Sequence, residues 1–335
     1  MKKEKVTINT IAEEAGVSPS TVSRVLNKPN LVQEKTRSAV NAALKKFNYV
    51  PQTVHKERED DVRQYTIGLA IHNPKLEVVS DLIREIETKL DLLGGQSDLL
   101  IINMRGEKNL GKFFREHAFY RHKIDALIAF SVSLNLEDAH YIQAQNIPVV
   151  MLHSRCIGAK SISTNNFQGA VDAVTYLFSR GYERIGFVGW DVKDNRLLDR
   201  YAGYVEALNR QGKKIEENHV AYDELSVNGG YEATKRLMTD ADLDAIFFAC
   251  DSMAVGGMKY CNEHSIAIAD ELGIVGFDGL ELAEVMGLTT MNQFIDVKAE
   301  MSISYLMQYI KGEILEPQIN ELFITPRIVV RSTTK

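Results

Sequence analysis

The sequence predicts an α/β protein in which a small all-α head precedes a body of two subdomains, each built on a parallel sheet. Three observations carry that prediction. From Tyr65 to about residue 290, short apolar runs alternate with amphipathic stretches. The alternation comes in two similar sets, and the first fifty or so residues show only helical spacing. A chain of 335 residues has room for about two or three such units.

In the head, Thr7 precedes Ile8, Ile11, Ala12 and Ala15, whose spacing makes one apolar helix face with Thr7 as its N-cap. Gly16 ends that helix, because glycine tolerates the left-handed conformation of a C-terminal cap. Ser18 caps a second helix, and Pro19 takes its first position, where the missing N–H costs nothing. This helix buries Val22, Val25 and Leu26 and shows Ser20, Thr21, Ser23, Arg24 and Asn27 on its other side. A third helix near Glu34 to Phe47 supplies Ala39, Val40, Ala43, Leu44 and Phe47 as the remaining wall. Two short helices joined at a glycine turn and backed by a third describe a helix-turn-helix module, whose second helix enters the major groove. Charge agrees. Residues 1–56 hold ten Lys/Arg against four Asp/Glu, a balance of +6, which leaves −12 on the other 279 residues.

In the body, 65–71, 99–103, 125–130 and 148–152 read as buried strands, separated by helices near 77–93, 107–121 and 136–145. The second set has strands at 184–190, 244–250 and 272–278 and helices near 167–180, 197–211, 228–238 and 251–264. The division expected is a head at 1–51, a linker at 52–64 and a body at 65–335. In open parallel sheets ligands bind at the carboxyl ends of strands, so two facing sheets make a cleft that hinging can close.

Other classes find little support. No apolar run approaches the ~20 residues of a membrane span and the N-terminus lacks a signal-peptide core, so a cytoplasmic protein without a membrane partner is expected. Cys156, Cys250 and Cys261 have no metal-type spacing and read as reduced, inert thiols; neither metal nor cofactor is expected. The sequence contains no G-x-S-x-G, no G-x-x-x-x-G-K-S/T and no H-E-x-x-H, and Gly94-Gly95 is a helix-ending turn, so an enzyme is not expected. A sugar-modifying enzyme would need a catalytic constellation that these residues do not supply. An exported solute-binding protein would share the body but need a signal peptide.

The segments "TINTIAEEAGVSPSTVSRVLN" and "VQEKTRSAVNAALKKFNYVP" resemble the DNA-binding head of the lactose-repressor (LacI/GalR) family of bacterial transcription regulators. The resemblance implies that Pro19 and Ser20 select the operator sequence and that Arg24 makes a base contact. It implies that Thr7, Ser18, Thr21, Ser23, Asn27, Thr36 and Tyr49 grip phosphates, which fixes register. After Pro51 the pattern breaks. Arg58 stands where the family places a leucine that wedges into the minor groove, His55 where alanine is common, and Glu57, Glu59, Asp60 and Asp61 surround them. A weaker or differently built hinge contact follows, with Arg58 inserted into a narrow groove as one form of it.

"FQGAVDAVTYLFSRGYERIGFVG", "DRYAGYVEAL", "CDSMAVGGMKY", "LGIVGFDG", "LTTMNQ" and "ITPRIVVRSTT" resemble the same family's body, which is similar to periplasmic sugar-binding proteins. Family topology implies chain crossings near 160, 291 and 320, with an N-subdomain at about 65–160 and 293–319 and a C-subdomain at about 161–290 and 320–335. Together with strand-end position it nominates the effector contacts. Arg200 matches a clamp on ligand oxygens, Asp278 a carboxylate that accepts hydroxyl protons, and Gln293 lies on a crossover. Trp190 follows a strand and is a candidate stacking platform for a sugar ring. His72 and Asn73 end the first strand, His153 ends the fourth where several relatives carry aspartate, Cys250 stands where asparagine is common, and Arg196 adds a further base. These departures favour an effector with negative charge, a sugar phosphate or sugar acid, over a neutral sugar. The function expected is a sequence-specific repressor, a homodimer on a pseudo-palindromic double-stranded operator, controlled by a small sugar-like effector in the cleft.

Overall fold

The computed structural model describes residues 7–27, 32–47, 64–94, 97–154, 156, 158–191, 193–314 and 320–335. Tyr49 and the linker with His55, Arg58 and its acidic cluster lie outside the described residues, as do the side chains of Ser23, Leu26 and Asn27. The chain divides into two compact units, Met1–Val62 and Arg63–Lys335.

In the first unit, helix α1 (Ile8–Ala15) begins at Thr7, whose Oγ1 accepts from Thr10 N–H at 3.4 Å while Thr10 Oγ1 accepts from Thr7 N–H at 3.2 Å. Gly16 ends it with φ of 64°, and its N–H returns to Glu13 O. Helices α2 (Pro19–Asn27) and α3 (Glu34–Lys46) follow. Ile11, Ala12, Val22, Val25, Val40 and Ala43 form the core, with Leu44 and Phe47 partly buried against it. Ala39, expected in that wall, is exposed. One residue of helix is about 100° of rotation, which takes position 39 off the stripe set by 40, 43, 44 and 47.

The second unit holds both lobes of the body. The first begins with β1 (Tyr65–Ile71), α4 (Glu77–Leu92), β2 (Ser97–Asn103), α5 (Leu110–Glu116), β3 (Ala126–Phe130), α6 (Leu136–Gln143), β4 (Val149–Leu152) and β5 (Lys160–Thr164). The second contains α7 (Asn166–Ser179), β6 (Ile185–Gly189), α8 (Asn195–Arg210), β7 (Val220–Tyr222), α9 (Val227–Asp240), β8 (Ala245–Phe248), α10 (Asp251–Glu263), β9 (Gly273–Asp278), α11 (Glu281–Val285) and β10 (Thr289–Asn292). The chain then returns to the first lobe for α12 (Ile295–Ile310) and β11 (Glu321–Ile324), and ends in the second with β12 (Arg327–Val329).

The sheets repeat one topology. Their strand orders are β2-β1-β3-β4-β5-β11 and β7-β6-β8-β9-β10-β12, every pairing parallel except β10 with β12. A parallel strand covered on both faces reads as an unbroken apolar run, which is why "YTIGLAI" has no polar alternation. Ile67, Leu69 and Ile71 face the core under α4 and α12, while Ala70 faces the one under α5 and α6.

The crossings correct two expected boundaries. β5 pairs with β4 in the first sheet, so the chain leaves that lobe after Thr164 and not near 160. β11 pairs with β5, so the last crossing falls at 325–326 and not near 320. The "KSIST" run, with Lys160 and three hydroxyl residues buried along it, carries too little apolar signal to reveal the strand.

Candidate effector cleft and nucleic-acid interface

On α2 the geometry separates anchoring from presenting residues. Val22 and Val25 are buried, whereas Ser18, Pro19, Ser20 and Arg24 are exposed. Ser18 Oγ accepts from Thr21 N–H at 3.2 Å and lies 2.8 Å from both Ser20 Oγ and Thr21 Oγ1. A cluster of hydroxyls is thereby fixed at the helix N-terminus, where backbone N–H groups and the macrodipole favour a phosphate. Thr21 and Thr36 are half-buried, and Thr7 is exposed but spends its hydroxyl on the α1 capping box.

In the body, the carboxyl ends of both sheets converge on one cleft. His72 follows β1, Ser131 follows β3, His153 follows β4 and Thr164 ends β5; opposite them Trp190 follows β6, Cys250 lies just beyond β8, Asp278 ends β9 and Gln293 follows β10. An outer cavity of about 560 Å³ takes in His72, Lys108, Ser131, His153, Arg196, Arg200 and Gln293. An inner chamber of about 30 Å³ behind it is bounded by Trp190, Cys250 and Asp278, and shares His153, Arg196, Arg200 and Gln293 with the outer one. Eight of the nine residues expected at the effector site are therefore together. Asn73 is the exception: its Oδ1 accepts from Lys75 N–H at 3.1 Å, which turns the side chain into the loop before α4.

Arg200 is buried beneath the cleft. Its Nε donates to Asn166 Oδ1 at 2.9 Å, and its Nη1 donates to Ala249 O and, at 3.2 Å, to Asp278 Oδ1. The guanidinium lies 3.7 Å from the Phe277 ring centre. Arg196 is held by Asp194 through Nε at 3.0 Å and Nη2 at 2.6 Å, a bidentate fork. Burial opposes the Asp194 carboxylate, yet the Arg196 hydrogen bonds and charge hold its pKa well below the usual range. Asp194 Oδ2 also accepts from Trp190 Nε1 at 3.3 Å, so the ring lies close to two guanidinium groups, 5.9 Å from Arg196 and 5.6 Å from Arg200.

A buried lysine that the sequence pattern did not reveal completes the floor. Lys298 is wholly buried on α12, and its Nζ lies 3.0 Å from His153 Nε2, 2.5 Å from Thr164 Oγ1 and 3.1 Å from Gln293 Oε1. Gln293 is the relay between lobes: it accepts from Thr164 and Lys298 and donates from Nε2 to Asp278 at 3.1 Å. Burial first, then the charge of Arg200, pulls the Lys298 pKa well below its ordinary value, so the amine and the His153 ring share one buried, weakly basic contact. Burial first, then Lys298, pulls the His153 pKa well below 6.5. Asp278 is pushed up by burial against the restraint of Arg200, and neighbouring Asp251, buried under β9 and β10, is pushed up to about 7 by burial and by Asp278.

The backbone is strained at the same strand ends. Ser131, His153 and Asp278 take φ of 53°, 58° and 131°. Such conformations cost about 1–3 kcal/mol each and persist where the surroundings fix a side chain's aim. Contacts between lobes cross the cleft at its rims: Arg196 Nη1 donates to Ser131 Oγ at 3.0 Å, Ser252 Oγ to Glu77 Oε2 at 2.8 Å, Glu281 N–H to Asp81 Oδ2 at 3.1 Å, and Arg84 pairs with Glu281. Among the described residues no cluster of three His, Cys, Asp or Glu could hold a metal ion, and no helix is long and apolar enough to cross a membrane.

Comparison with known proteins agrees with this geometry in both units. Residues 7–52 match bacterial regulatory proteins of the lacI family, and residues 174–334 match a periplasmic binding protein-like domain. The chain is 27% identical over 333 residues to the ribose operon repressor of Escherichia coli K12, covering 98% of this chain and 99% of that protein. It superposes on the lac repressor bound to ONPG in its repressed state with a TM-score of 0.67 and 25% identity, over 99% of this chain and 100% of the other. It also superposes on a regulator from Enterococcus faecium with bound ribose, with a TM-score of 0.66 and 22% identity, over 80% and 98%. The chain thus carries a lacI-family domain of bacterial regulatory proteins at residues 7–52 and a periplasmic binding protein-like domain at residues 174–334, and its similarity to the lac repressor runs over 99% of its length.

Proposed function

We propose that the protein is a homodimeric transcriptional repressor that binds operator DNA through α2 and is controlled by a small sugar-like effector held between the lobes. The observation that carries this reading is the polar network from Asp278 through Gln293 to Lys298, Thr164 and His153, which ties both lobes and two of the three crossings to the walls of one cavity. A ligand in that cavity replaces or adds contacts between the lobes and so favours one lobe arrangement, which is the differential interaction an allosteric effector requires. Relatives act as repressors of sugar operons or carry a bound sugar, which fits a polyhydroxylated ligand.

In this reading Pro19, Ser20 and Arg24 read bases, and Ser18, Thr21 and Thr36 hold phosphates. His72, His153, Arg196, Arg200, Asp278 and Gln293 contact the effector, and Trp190 offers it a face. The protein acts in the cytoplasm, where operator DNA is, and is not an enzyme. The test is fluorescence anisotropy on labelled DNA from upstream of its own gene at low salt. Retention is expected, since even non-specific binding is strong there. Arg24→Ala is expected to weaken specific binding by about 1–3 kcal/mol and leave non-specific binding nearly unchanged. Failure to bind any promoter fragment at low salt overturns the reading.

A further inference from the structure

The donors and acceptors around the outer cavity do not balance. A neutral sugar presents hydroxyls that both donate and accept, and it is matched by a site offering both. Here the carboxylate acceptors are already engaged. Asp194 takes three charge-assisted or indole hydrogen bonds, Asp278 takes Arg200 and Gln293, and Asp199 has a partner of its own. The donors are not. Lys108 from the first lobe and Lys193 from the second both line the cavity, and neither ammonium has a hydrogen bond or carboxylate partner among the described residues. Arg200 spends Nε and Nη1 internally, which leaves Nη2 unengaged among the described residues.

Two further features point the same way. Ser163 Oγ, in the same wall, is buried without a hydrogen-bond partner, an unmet bond that a ligand oxygen would supply. The cationic field is registered by both imidazoles. His72 is pulled below its ordinary value by burial and then by Lys108 and Arg196, and His153 by burial and then by Lys298, Arg196 and Arg200. Helix α8 also begins in this wall, at Asn195, so its N-terminal dipole adds to the field.

We propose that the effector is an acidic sugar derivative whose oxyanion is seated between Lys108 and Lys193, one from each lobe, with its polyol body directed inward to Arg200, Ser163 and His153. This deepens the sugar-effector reading and rests on it. An anion shared by one lysine from each lobe stabilises the arrangement that brings them together, so recognition of charge and control of lobe geometry become the same event. Carboxylate and phosphate share this chemistry.

Trp190 is the only tryptophan and sits beside both cleft arginines, so its fluorescence reports the site in the full-length protein. The experiment titrates inorganic phosphate, acetate and two series, ribose with ribonate and ribose 5-phosphate, and glucose with gluconate and glucose 6-phosphate, at constant ionic strength. Expected are a saturable response to inorganic phosphate or acetate, at least about tenfold tighter binding of an acidic member than of its neutral parent, and loss of that preference in Lys108→Met/Lys193→Met. Whether the aldonate or the phosphate wins identifies the oxyanion. A neutral sugar that binds as tightly as its acidic forms, with the double variant unchanged, overturns the anionic seat and leaves the sugar-effector reading standing. Saturable binding of simple anions without any sugar supports the seat and overturns the sugar-like reading. No response to any probe overturns both.

Discussion

Substitution of Arg200 by methionine tests the buried framework of the cleft in a calculable way. The guanidinium is almost wholly buried and satisfies Asn166 Oδ1, Ala249 O and Asp278 Oδ1. Methionine keeps much of the packing on Phe277 but strands the carboxylate with only Gln293 Nε2 at 3.1 Å. Breaking a buried ion pair from one side costs about 3–5 kcal/mol, because the remaining charge is left unpaired. Arg200→Met/Asp278→Asn strands no charge and leaves two neutral acceptors orphaned, at about 1 kcal/mol each. The double variant is therefore more stable than the single one by about 2 kcal/mol. The sign with pH follows from Asp278, whose folded-state pKa is already raised and rises further without Arg200. The folded state then holds a proton that the unfolded state releases above its ordinary carboxylate range, so the deficit of the single variant grows as pH rises and shrinks as it falls. Urea unfolding of the body, followed by Trp190 fluorescence from pH 5 to 8, measures all of this. Single and double variants equal within about 0.5 kcal/mol, with no pH dependence of their difference, would refute the view of Arg200 and Asp278 as a coupled pair.

Three other outcomes are expected. Asp251→Asn removes a carboxyl whose folded pKa is pushed to about 7, so wild-type stability declines between about pH 4 and 7 relative to the variant, and parallel denaturation series read the difference. Ile11→Ala in the fully buried head core costs about 2–5 kcal/mol, so DNA retention is lost while ligand-induced Trp190 fluorescence is unchanged; joint loss of both contradicts the independence of the two units. Lys298→Met removes the buried amine that lies 3.0 Å from His153 Nε2; an NMR titration of His153 should then show its pKa raised toward 6.5, and an unchanged value contradicts the placement of Lys298 against the ring.

How far the sequence alone reached follows from which interactions are local. β1, β3, β4, β6, β8 and β9 were readable because parallel strands covered on both faces are uninterrupted apolar runs. β5 and β7 were not: the first is largely hydroxyl residues and the second is three residues long. Helix α12 escaped because its sequence carries Lys298 and Ser302 on buried positions, which blurs the amphipathic stripe. Strand-end logic brought out His72, His153, Trp190, Cys250 and Asp278, since a parallel sheet puts ligands there whatever their chemistry. Lys108, Lys193 and Lys298 lie a few residues beyond β2, β6 and β10, in loops or on α12, so a reading confined to the strand ends themselves stopped short of them. Asp194 had a usable signal: it stands as N-cap two residues before Arg196 and can grip that arginine from there.

The most direct test of the account couples the two ends of the molecule. Operator affinity of the full-length protein is measured by anisotropy with and without a saturating acidic sugar that shifts Trp190 fluorescence. A change of about 5–150-fold is expected, abolished by Lys108→Met/Lys193→Met. Operator affinity that stays the same at saturating ligand would contradict it.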